Sequence, residues 1–131
     1  MPKLLLIYLV LSMHLMVFSQ AVNFSAAYQQ HPEIPRGFLE AISYTHTRFS
    51  PINPEESLSC SGMPLPFGIM GVFDHGNGYF IENAKRIESL SGINIATQKN
   101  SVMMQVEAYA SACTNLIQSY GVTVENAPEL L

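Results

Sequence analysis

Ile34-Pro35-Arg36-Gly37-Phe38-Leu39-Glu40-Ala41-Ile42-Ser43-Tyr44-Thr45-His46-Thr47-Arg48-Phe49-Ser50-Pro51 is the stretch on which the fold turns. Pro35 suits the first position of a helix, where its missing N–H would have no intrahelical acceptor, and the spacing carries that helix over 35–47. Phe38, Ile42 and Thr45 fall on one face, with Leu39, Ile42, His46 and Phe49 as the stripe beside it. Upstream, Phe24, Ala27 and Tyr28 recur at helical spacing over 23–30 before His31-Pro32 closes the segment. Downstream, the proline, serine and glycine of 50–66 exclude regular helix, and Asp74-His75-Gly76-Asn77-Gly78 makes a second break.

Two further helices follow. Phe80, Ile81, Ala84 and Ile87 lead to Gly92 as C-cap, and a long helix over 101–120 carries Val102, Val106, Tyr109, Cys113, Leu116, Ile117 and Tyr120 on its apolar face, ending at Gly121. Only Gly71-Val72-Phe73 suits a brief strand. The class expected is all-α with at most one minimal β element.

The chain has 131 residues, and its first 19 read as a cleavable export signal. Lys3 gives a positive start, 4–18 is an almost unbroken apolar run, and Val17-Phe18-Ser19 offers the cleavage spacing before Gln20. A retained anchor is the alternative, but a membrane-spanning helix needs roughly 20 apolar residues, and this run is shorter, carries His14, and meets polar Gln20 and Asn23 at once. Residues 20–131 then form one domain with a modest core, secreted or periplasmic, with no stable membrane insertion after cleavage. Arg36, Arg48, Lys85, Arg86 and Lys99 face ten carboxylates with no basic run, a poor match to nucleic acid or anionic membrane.

An oxidising compartment bears on the two cysteines, Cys60 and Cys113. They either form a disulfide that closes a long loop or stay unpaired as small core residues, Cys113 lying on the predicted buried face of the last helix.

The 34–51 segment resembles the helix of lytic transglycosylases and lysozyme-like domains that reads "(I/V)P…LL-A-I-x-x-x-E-S-x-F-x-P". In register with it, Phe67-Gly68-Ile69-Met70-Gly71-Val72 looks like that family's "x-G-L-M-Q-L" segment, and the helix to Tyr120-Gly121 like its "N-I-x-x-G-A-x-Y-L…F-G" helix. The resemblance implies a lysozyme-like helical domain acting on peptidoglycan. Its wording, Tyr-Thr-His-Thr-Arg-Phe with Ser-Cys-Ser-Gly-Met-Pro and Gly-Ile-Met-Gly, is similar to the N-terminal module of secreted N-acetylmuramoyl-L-alanine amidases, where a degenerate lysozyme-like region precedes a zinc amidase domain. That catalytic domain has no counterpart in these residues, so its zinc ligands map onto none of them. The chain stops at Val124-Glu125-Asn126-Ala127-Pro128-Glu129-Leu130-Leu131, where Pro128 suits the start of a helix barely begun, and relative to the family it looks truncated.

In the family, the glutamate of the first motif protonates the glycosidic oxygen, and its position here is His46. A carboxyl in a partly apolar cleft does this by a raised pKa, whereas an imidazolium brings positive charge to an oxocarbenium-like transition state. Glu40, six residues earlier, lies roughly a third of a turn away around the helix. His46 is therefore read as marking a degenerate site, with a working acid and a merely structural histidine as the alternatives. The glutamine after Met in the second motif is here Gly71. Gly68 allows close backbone approach, and Ile69 and Met70 pack the core.

The resemblance places substrate contacts at Tyr44, His46, Met70 and Gly71. No cofactor or metal is expected, because His46 and His75 lack a third spaced ligand and Asp74-His75-Gly76-Asn77-Gly78 is explained as turn chemistry. Cys113 has no partner base near it in sequence to make it a nucleophile. The expected role is a secreted, peptidoglycan-associated, non-catalytic module of an amidase-type wall protein that binds or positions rather than cleaves; an active transglycosylase or glycosidase with His46 in the usual glutamate position and a truncated, non-functional fragment are the other readings.

Overall fold

The computed structural model describes residues 22–53, 66–74 and 83–121. These are mostly helical and contain no sheet. The segment expected to be an export signal, most of the 50–66 loop with Cys60, the turn expected at His75 and the C-terminal segment from 122 lie outside the described residues.

Among the described residues five helices follow one another: α1 (Ser25–Gln30), α2 (Phe38–Thr47), α3 (Asn83–Ser91), α4 (Ile95–Asn100) and α5 (Val102–Tyr120). The last is the hub, with α1, α3 and α4 packed against it. It begins where Ser101 caps it by accepting from the Met104 N–H, and it ends at Gly121, whose left-handed backbone (φ 61°) needs no Cβ clearance. Its buried residues are Gln105, Val106, Ala108, Ala110, Ala112 and Thr114. The alanines reflect close approach from several sides rather than one apolar stripe. Tyr109, Cys113 and Leu116 line a shallow groove of about 120 Å³ against α3, and Tyr120, expected on the buried face, is 72% exposed.

The second helix starts three residues later than predicted. Gly37 has φ 89°, a left-handed geometry that a continuing helix does not admit, so Pro35 sits in a turn closed by Phe38 N–H to its carbonyl at 3.2 Å. Its buried stripe is Leu39, Ser43 and Thr47 at four-residue spacing, not the Leu39, Ile42, His46 and Phe49 row; His46 and Phe49 are exposed. Helix α4 was not foreseen. Asn94 caps it by accepting from the Thr97 N–H at 2.8 Å.

The expected brief strand is present as two isolated antiparallel bridges, Phe67 with Val72 and Ile52 with Gly68. This tight turn joins α2 to α5. Its Phe67, Ile69, Met70 and Val72 side chains are buried with Leu39, Ala84 and Val106 in the core. Among the described residues no helix is long and apolar enough to cross a membrane.

Candidate functional site

The two positions that the resemblance assigns to a cleft are in contact. His46 lies in the last turn of α2 and its Nδ1 is 2.9 Å from the Met70 carbonyl oxygen. A carbonyl only accepts, so Nδ1 carries a proton and Nε2 is the nitrogen left to meet a ligand. Behind the ring, Gly71 has φ 63°, and a Cβ placed there would lie 2.6 Å from the His46 Cβ. Position 71 thus has no room for any side chain while α2 packs this closely. Its lack of a glutamine has a steric cause in this backbone.

Of the four expected substrate contacts, Tyr44 and His46 present side chains to solvent, whereas Met70 is wholly buried and Gly71 is buried with it. Met70 is a core residue whose carbonyl orients His46. Thr47 fixes the same junction, its Oγ1 lying 2.7 Å from the Ile69 carbonyl and 2.9 Å from that of Ser43. From the other side the Gln105 amide accepts from the Met70 N–H and donates to the Phe67 carbonyl, both at 3.0 Å. A Cβ at Gly68 would fall 2.2 Å from Gln105 Oε1, which explains that glycine as close approach to a side chain.

Most of the described carboxylates are engaged elsewhere; Glu33 Oε1 meets only the Gln118 amide, at 3.4 Å, and its Oε2 is buried without a hydrogen-bond partner. Glu40 accepts from the Tyr28 hydroxyl, which itself accepts from the Leu39 N–H at 3.0 Å; burial, and then the hydrogen bond to Glu40, raise the Tyr28 pKa. Glu107 meets His31 Nε2 at 2.8 Å, Asp74 pairs with Lys99, and Glu88 accepts from the Ile95 N–H at 3.3 Å. Among the described residues, no carboxylate hydrogen-bonds His46, and no group of three potential metal ligands occurs. Among the described residues the site therefore holds an imidazole fixed by a carbonyl, with no carboxylate hydrogen-bonded to it.

Three features escaped sequence reasoning. His31, read as a helix stop, ties α1 to α5: its Nδ1 is 3.0 Å from Thr114 Oγ1 while Nε2 meets Glu107. Separations of 76 and 83 residues leave no local signal for it. Gln105 was legible only as a polar residue inside a long helix. Arg48 and Phe49 both have positive φ, 55° and 61°, and the Phe49 ring stays part-exposed.

Cys113 carries a free thiol, raised by burial to about 11. A thiol so held is a poor nucleophile at neutral pH. Comparison with family models, with curated proteins and with solved structures finds no match for this chain.

Proposed function

We propose that the protein is an exported, peptidoglycan-associated module that binds the wall polymer without cutting it. The reading rests on the resemblance of 34–51, 67–72 and the last helix to lysozyme-like domains of amidase-type wall proteins, and on the export signal before them. One observation carries it furthest: His46, at the position of the family's acid, is pinned by the Met70 carbonyl and backed by Gly71, with no carboxylate bonded to it among the described residues. Glycoside cleavage of the kind the resemblance implies needs a carboxylic acid poised at the leaving oxygen. A surface with a fixed imidazole and an exposed tyrosine suits holding sugar better than breaking it.

Co-sedimentation with purified sacculi, followed by analysis of released muropeptides, tests this directly. The expected outcome is retention above that of an unrelated acidic protein, with no soluble sugar fragments. Retention no better than the control overturns the binding role; fragments whose release stops in His46→Ala overturn the non-catalytic one.

A further inference from the structure

At the C-terminal corner of α2, Tyr44 and Phe49 are 50% and 46% exposed, with ring centroids 5.5 Å apart. Phe49 also leans on Phe24, centroids 6.4 Å apart, so its ring is held rather than loose. The Arg48 guanidinium stacks 4.5 Å from the Tyr44 ring centroid. That stacking leaves its edge donors open, and no carboxylate pairs with Arg48 among the described residues. The run 41–53 contains no Asp or Glu. Two successive non-glycine residues in left-handed geometry form this corner, a backbone strain that surrounding contacts sustain.

Part-exposed aromatic rings beside a guanidinium that no described carboxylate pairs suit a ligand with a flat apolar face and a carboxylate close to its plane. We infer that this corner docks a carboxylate-bearing pyranose, with Tyr44 and Phe49 against the sugar face and Arg48 on the acid. The inference rests on the peptidoglycan reading and narrows it. Muramic acid supplies such a carboxylate, and that group is free where the stem peptide has been removed, because it is the peptide's point of attachment. The ligand class is therefore peptide-free glycan strand, the product of amidase cleavage, in preference to the peptide-bearing polymer.

The probes are N-acetylmuramic acid, its methyl ester and N-acetylglucosamine, titrated into isotope-labelled protein by NMR. Saturable shifts should centre on 44–49, with the acid binding at least fivefold more tightly than the ester or the neutral sugar. Arg48→Gln should erase that preference, and Tyr44→Ala should weaken all three ligands at least fivefold; both sites are exposed, and an unchanged amide spectrum verifies the fold. Equal affinity for acid and ester, shifts centred elsewhere, or indifference to both substitutions overturns the inference. If sacculi retain the protein while the corner ignores the acid, wall association stands and this site falls. If the acid binds at the corner but sacculi do not retain the protein, the corner stands and wall association falls.

Discussion

Gly71 is constrained twice over: φ 63° belongs to a region that side chains rarely occupy, and the His46 Cβ leaves no room for a Cβ of its own. Placing there the glutamine of the family that the segment resembles should not create a sugar contact. We expect Gly71→Gln to cost at least about 2 kcal/mol, from left-handed strain and displacement of α2, read as a lower urea midpoint at unchanged slope. Arg48 presents the opposite case. Its φ of 55° would suit glycine better, so Arg48→Gly should raise stability by about 1 kcal/mol while removing the only cation on the Tyr44 ring among the described residues. A higher melting temperature with lost preference for the acidic sugar would mark strain retained for binding; a lower one would mean that the Arg48 stacking outweighs the strain.

Elements were legible where apolar side chains bury themselves and obscure where polar ones do. The long helix and its Gly121 cap follow from spacing, and its observed span differs from the expected one only at the capping Ser101. The buried row of α2 is Leu39, Ser43, Thr47, and two of these three are invisible to a search for hydrophobic periodicity. Small hydroxyl residues let α2 close on the 67–72 turn, and Thr47 answers the Ile69 carbonyl there. Such a contact depends on a partner 22 residues away, which no local pattern records. Gln105 plays the same part from α5. Gln105→Leu keeps the volume but leaves the Met70 N–H unpaired in the core, while the Phe67 carbonyl keeps only the Val72 N–H, so a loss of about 1–3 kcal/mol is expected on chemical denaturation. A change below about 1 kcal/mol would show that water or a shifted turn supplies the missing bonds.

For the whole molecule, the groups with raised pKa are acids that are neutral when protonated, which fixes the sign of the pH dependence. Burial raises Tyr28, Tyr109 and Cys113, the thiol from 9.0 to about 11. Folding then favours their protonated forms, so their contribution is fully present below the unfolded pKa and is lost as pH rises through the folded one. Under reducing conditions the stability should fall between pH 9 and about 11, by about 2 kcal/mol from the thiol alone, with the tyrosines extending the fall above pH 10. Cys113→Ala should flatten the first part of that fall and leave the tyrosine part in place. An oxidised sample separates the two fates of the cysteine. If Cys60 and Cys113 are joined, there is no thiol to titrate, the slope between pH 9 and 11 disappears, and closing so long a loop adds about 4 kcal/mol that reductant removes. An unchanged profile with and without reductant would establish that the thiol seen against α3 is free in solution as well.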